Sequence, residues 1–287
     1  RLTNLLCIVD ELGRAVFINS MGNMVDNISH PKECFSSVFV DDIYAYFGTQ
    51  SGSLCIYHLN TFKVSAVYPY LYTLRKKFLM GATDTMTEGM SGPAVNKVYK
   101  SQLSNLLAWT HADGSFVVFD CEKKKVIEFQ LCHARTVESI KWIRGKKDAF
   151  ISCSSDGLAI IWELLNDKWT PRVLDVSSKV SIEMSSTFYH NKGLPLKSEA
   201  EVINQRESFS VKSVEFNLSK NELLVGDMMG TLSVFDIEDY KLTRKVNLGQ
   251  GGIEDMAISP RGSVLGVALS SGETILCDCT RHYQRLL

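Results

Sequence analysis

Short apolar runs alternate along this chain with polar or glycine-bearing turns, and the runs recur in a fixed order. Six segments start at a glycine, continue through an alternating or wholly apolar stretch, and end on a bulky residue: LGRAVFIN, SGSLCIYH, DGSFVVFD, DGLAIIWE, MGTLSVFD and SGETILCD. The glycines are Gly13, Gly52, Gly114, Gly157, Gly230 and Gly272. Five positions after them stand Ile18, Tyr57, Phe119, Trp162, Phe235 and Cys277. A second apolar run precedes each glycine, as in IYAYFG, LLAWT and AFISC. Two such runs flanking Ser-Gly or Asp-Gly predict a β-hairpin, because glycine accepts the positive φ that the turn requires. Upstream of five hairpins a third strand is expected, apolar at its first, fourth and sixth positions, as in Val137-Ile140-Trp142 and Val211-Val214-Phe216. Downstream runs such as KVIEFQL and KLTRKVNL supply a fourth. The first unit lacks its innermost strand, and the last ends soon after Cys279.

Four short antiparallel strands per unit, repeated radially, describe a β-propeller. Successive glycines lie 39, 62, 43, 73 and 42 residues apart. Three of these intervals match the period of about 40–45 residues of WD-type blades, and the other two hold extra chain, residues 71–93 and 175–206. A sandwich or barrel has no reason to keep such a period. The expectation is an all-β chain forming a single domain over residues 1–287, with six clear four-stranded blades and seven in total. The seventh is either degenerate or outside the chain. Gly193 lies 36 residues after Gly157 and 37 before Gly230, so 175–206 is one place for it. LPLKS in that interval is a poor strand, since proline cannot donate to a ladder. A start at Arg1 rather than Met is what a fragment or processed product would have.

HARTVESIKW followed by FISCSSDGLAIIWEL resembles the WD-repeat signature, with His133 ahead of the inner strand and Trp162-Glu163 in place of Trp-Asp. The resemblance implies a buried hydrogen-bonded network of His133, Ser152, Asp156 and Trp162 within one blade. Its chemistry is sound, because a carboxylate can accept turn amides and fix an imidazole, which an indole N–H and a hydroxyl help to satisfy. DGSFVVFD keeps Asp113 and Asp120, whereas the remaining repeats lack His, Trp or both. The family fold implies nothing about which partner is bound, since propellers serve many.

Composition narrows the function classes. Lys plus Arg is 31 and Asp plus Glu is 32, a formal net charge of -1, which is no global trap for nucleic acid or anionic membrane. No apolar run reaches the ~18 residues of a membrane span. Eight cysteines lie mostly within strand-like runs and contain no CxxC pair, so free thiols in a reducing cytoplasm or nucleus are expected. No GxSxG, HExxH, GxGxxG or GxxxxGK[ST] occurs, and the six histidines show no metal-ligand spacing. The expectation is therefore no enzyme, no cofactor, no metal and no small-molecule substrate.

Two surfaces remain as candidates. The resemblance implies that both insertions leave on the glycine-turn face, which in the family is the usual partner-binding face. The first insertion carries Arg75, Lys76, Lys77, Phe78, Leu79, Met80, Met86 and Met90, an adaptable apolar surface beside positive charge. A solvated insertion without a partner is the plain alternative. On the opposite face, Lys123, Lys124 and Lys125 fill one turn, and Arg144, Lys146 and Lys147 fill a turn of the next blade. They form either a docking patch for phosphate, nucleic acid or an acidic segment, or a solvated rim. The reading as a whole is a scaffold for the protein subunits of a larger complex, with a nucleic-acid- or phosphate-binding propeller as the alternative.

Overall fold

All six repeat glycines sit in the left-handed region, with φ between 75 and 87°. Each closes a tight hairpin that a side chain at that position would strain. A computed structural model of the chain describes residues 5–10, 12–29, 33–70, 91–174, 176 and 210–286. Within them every hairpin grows into its own antiparallel sheet, and the sheets succeed one another along the chain. By contact density the chain divides into two compact units, Arg1–Lys100 with Asn105–Cys132 and Ser101–Ser104 with His133–Leu287.

The first unit holds three sheets. Blade 1 comprises β1 (Leu6–Val9), β2 (Arg14–Ile18) and β3 (Met24–Ser29). Blade 2 comprises β4 (Phe35–Val40), β5 (Tyr44–Thr49), β6 (Leu54–His58) and β7 (Lys63–Tyr68). Blade 3 comprises β8 (Val95–Lys100), β9 (Leu106–His111), β10 (Ser115–Asp120) and β11 (Lys125–Leu131). Blade 1 thus has three strands among the described residues, β1 standing at its inner edge. Ala15 and Phe17 of blade 1 are buried against Phe35, Phe47 and Tyr57 of blade 2, with Phe35 stacked on Phe47 at 4.4 Å. Blade 2 packs on blade 3 through Tyr46, Leu54, Val95, Trp109 and Phe119. Each such fully buried large side chain contributes about 1.5–3 kcal/mol.

The second unit repeats the plan. Blade 4 comprises β12 (Val137–Trp142), β13 (Ala149–Ser154), β14 (Ala159–Leu165) and β15 (Lys168–Leu174). Blade 5 comprises β16 (Val211–Asn217), β17 (Glu222–Asp227), β18 (Thr231–Asp236) and β19 (Leu242–Asn247). Blade 6 comprises β20 (Ile253–Ile258), β21 (Val264–Leu269), β22 (Thr274–Asp278) and the short β23 (Gln284–Arg285). Ile151 and Ile161 of blade 4 share one core with Val211, Val214 and Val225 of blade 5. The inner strands are joined by a Lys141–Glu215 ion pair at 2.7 Å. Blades 4 and 5 therefore touch directly.

A β-bulge explains the spacing of apolar positions in the inner strands. Strict alternation would put the first and fourth residues on opposite faces. In all five inner strands the pairing register shifts after the first residue, between Phe35 and Ser37, Val95 and Lys97, Val137 and Ser139, Val211 and Ser213, and Ile253 and Asp255. The extra residue absorbed there brings the first, fourth and sixth side chains onto one face. That face meets the preceding blade, where a glycine makes room at two seams. A Cβ at Gly48 would overlap Val95, and one at Gly226 would lie 2.5 Å from Ile253 Cγ2.

Candidate functional site

The turn around Gly157 is fixed by a buried polar cluster. His133 precedes β12, Ser152 lies in β13, Asp156 in the turn and Trp162 in β14, and all four are buried. Trp162 Nε1–H donates to Ser152 Oγ at 2.9 Å. His133 Nε2 lies 2.8 Å from the same hydroxyl, and His133 Nδ1 lies 3.0 Å from Asp156 Oδ2. Because Ser152 accepts from the indole, its own proton points to Nε2, which leaves Nδ1–H to donate to the carboxylate. Asp156 also accepts the backbone N–H groups of Ala134 and Leu158, at 3.0 and 2.9 Å. Burial alone would raise its pKa, but the His133 interaction and these donors outweigh it, and the carboxyl is held below its ordinary value. The cluster ties a loop, a turn and two strands of one blade together.

Blade 3 answers the same need with other residues. Asp113, one position before Gly114, accepts from Tyr70 O–H at 2.5 Å, from Ser115 Oγ–H at 2.6 Å and from Ser115 N–H at 3.1 Å. His111 Nδ1 lies 3.1 Å from Ser115 Oγ, and the Tyr70 ring meets the His111 ring edge-on at 4.9 Å. Burial pulls the His111 pKa well below the ordinary imidazole value, against the opposing charge of Asp113 and the Gly52 backbone. Tyr70 and His111 carry no motif and escape a search for His-Asp-Trp. The available signal was position, since Tyr70 precedes the inner strand of its blade much as His133 does.

Tyr70 also stands at one stem of the first insertion. At the other stem Gly92 N–H donates to Ser51 O at 2.6 Å, and Gly92 lies so close that a Cβ there would meet the Tyr70 side chain at 2.6 Å. Both stems are thus held beside the Gly52 turn. Arg75, Lys76, Lys77, Phe78, Leu79, Met80, Met86 and Met90 lie outside the described residues, as does most of 175–206.

At the opposite end of the blades, tyrosines staple neighbouring sheets. In the first unit Tyr46 O–H donates to Asp41 at 3.0 Å, and the Lys100 ammonium joins the same carboxylate. Burial and the Asp41 charge push the Tyr46 phenol above its ordinary pKa, so it stays a donor. In the second unit Tyr240 O–H and Lys146 Nζ both bind Glu163 Oε1 at 2.9 Å, with Lys146 4.3 Å from the Tyr240 ring centre. Farther along, Tyr283 O–H donates to Glu222 at 2.5 Å, and Arg244 binds the same carboxylate at 3.1 Å.

These staples separate the basic turn residues. Lys146 is half-buried in a staple, whereas Arg144 and Lys147 are exposed. In the first unit Lys123, Lys124 and Lys125 are all exposed, with Lys123 bridging to Asp120 at 3.3 Å. None of the eight cysteines is joined in a disulfide. Among the described residues no three His, Cys, Asp or Glu side chains group to hold a metal, and no helix is long and apolar enough to cross a membrane.

These sheets define a β-propeller fold. The chain superposes with a TM-score of 0.63 on the β-propeller domain of Cps50 (Swd1) from Myceliophteria thermophila, at 12% identity, covering 85% of this chain and 65% of that one. It also resembles a chain of the mitotic checkpoint complex, with a TM-score of 0.67 at 12% identity, covering 96% and 70% respectively. No family model and no curated protein matches the sequence.

Proposed function

We propose that this chain is a non-catalytic scaffold whose glycine-turn face binds other protein subunits of a larger intracellular complex, cytoplasmic or nuclear. The observation that carries the reading is the anchoring of Tyr70 and Gly92. A long insertion whose two stems are held against a rigid turn can present its apolar and basic residues without loosening the blades. A pre-organised face loses little conformational entropy on binding. One of the similar structures is itself a multiprotein complex. On the other face the staples consume Asp41, Lys100, Lys146, Glu163 and Glu222 within the protein, which leaves fewer charges there for a partner.

The test compares partners recovered from the native cell by the full-length protein and by a variant lacking residues 71–93. Loss of a partner with folding retained is expected, because the strand ends remain adjacent. The competing reading uses Lys123, Lys124, Lys125, Arg144, Lys146 and Lys147 to hold nucleic acid, phosphate or an acidic segment. Binding through ~6 phosphate contacts would weaken on the order of a thousandfold between ~50 and ~200 mM salt, whereas apolar anchoring would change little. A steep salt dependence, or full recovery of partners by the shortened protein, would favour the basic turns.

A further inference from the structure

The seam between blades 5 and 6 contains a contact that depends on a proton. After β22 the chain makes a helical turn, Cys279–Arg281, and passes through His282 and Tyr283 at φ of 56 and 64° before β23. Two consecutive left-handed residues with large side chains are unfavourable, so the turn persists only while its surroundings hold it. Blade 5 supplies the hold. Tyr283 O–H donates to Glu222 at 2.5 Å and accepts from Asn217 Nδ2 at 3.2 Å. The Lys220 ammonium donates to the Cys279 carbonyl. Arg244 of β19 donates to Glu222 through Nη2 at 3.1 Å and to His282 Nδ1 through Nη1.

The contact with His282 fixes a protonation state. A guanidinium has donors only, so Nδ1 is the lone-pair nitrogen of a neutral ring whose proton sits on Nε2. An imidazolium carries N–H at both nitrogens and cannot accept from Arg244. The charged groups of the elements packed here are Arg244, Lys220 and Glu222 from blade 5, and Asp278, Arg281 and Arg285 from blade 6. Cations outnumber carboxylates, and both carboxylates are engaged, Glu222 by Arg244 and Tyr283 and Asp278 by Arg281 at 3.7 Å. A charge added to His282 therefore meets repulsion from Arg244 and no free carboxylate. The staples at Asp41 and Glu163 are built from lysine and tyrosine and contain no imidazole.

We propose that His282 is a proton-operated catch on blade 6. When neutral it accepts from Arg244 and holds the 279–283 turn on blade 5. When protonated it repels Arg244, and the turn and β23 come away together. The switched element is weakly held otherwise, since β23 pairs with β22 only through Arg285 and Gln284, whereas β15 pairs with β14 at seven positions. A local charge change thus biases a strained turn between two arrangements. The inference rests on this seam and is independent of the scaffold reading.

The test is backbone hydrogen exchange of the whole protein at about pH 7.5 and about pH 5.5, a range across which an imidazole changes charge. Rates are corrected for the intrinsic pH dependence and read at the amides of Tyr283 and Leu286, which donate to Asp278 O and Leu276 O. Lowering the pH should reduce their protection about tenfold relative to amides of β13, the loss expected when a charged donor is deprived of its acceptor. His282→Gln, which keeps an acceptor but takes up no proton, should remove the step between the two pH values. His282→Lys should lower protection at both. Arg244→Met should also lower it at both and leave no step. A parent protein without the step, or a step that survives in His282→Gln or Arg244→Met, would overturn the proposal.

Discussion

Blades 3 and 4 each place an aspartate one residue before the turn glycine, half-buried in blade 3 and buried in blade 4, and they satisfy it differently. Asp156 is held by an imidazole that leads through Ser152 to an indole N–H. Asp113 is held by a phenol and a serine. At the position of Ser152, blade 3 has Trp109, which fills the space but supplies no hydroxyl, and at the position of Trp162 it has Phe119. The comparison teaches that the constraint is a saturated carboxylate inside the blade. Residue identity is one solution to it. A buried polar group needs partners of suitable geometry, and any side chain that reaches will do.

Five substitutions put this comparison under load. Trp162→Ala should have the largest effect, about 3–5 kcal/mol of lost stability in denaturant unfolding, because it opens a cavity and strips Ser152 of its donor. Trp162→Phe, which imitates blade 3, should recover most of that loss. If it does not, the indole N–H matters more than its volume. Asp156→Ala is expected to cost about 1–3 kcal/mol, since a buried imidazole and two turn amides lose their acceptor. Equal unfolding midpoints for mutant and parent would mean that the network contributes nothing.

His111 gives the comparison a pH dependence. Its folded pKa is depressed by burial, so the unfolded chain takes up a proton first as pH falls. Stability linked to this group is complete above about pH 6.5 and is lost as pH falls from there toward the folded pKa, at up to about 1.4 kcal/mol per pH unit. His111→Gln should flatten a plot of unfolding free energy against pH in that window, and an unchanged slope would exclude His111 as its source. Tyr70→Phe should have the smallest effect, about 1 kcal/mol, because Ser115 still donates twice to Asp113. A loss matching that of Asp156→Ala would make Tyr70 the keystone of its blade.

The hairpins were legible because each needs a glycine at positive φ, and a repeated glycine is visible in any sequence. The inner strands were legible as a pattern at positions one, four and six, although its cause, the bulge after Phe35, Val95, Val137, Val211 and Ile253, was not. A bulge is a backbone event with no residue requirement of its own here. The network of blade 4 was readable through its resemblance to a known signature. That of blade 3 was not, because Tyr70 and Asp113 lie 43 residues apart across an insertion. The staples were hidden for a similar reason. Lys146 reads as a free turn lysine until Tyr240, 94 residues away, is brought onto it.

The seams between blades carry a consequence for how such a chain can change. At two seams a glycine meets a β-branched side chain, Gly48 against Val95 and Gly226 against Ile253, whereas blades 1 and 4 carry Val9 and Cys153 at the same position. The seams are therefore not all alike, and the repeats are not interchangeable modules. A blade duplicated or shuffled into another slot would bring a side chain where its new neighbour has kept only a hydrogen, or leave a hole where a larger one is expected. Divergence at one seam therefore has to proceed by paired steps, which is one physical reason the repeats of this chain have drifted apart in sequence while keeping one backbone plan.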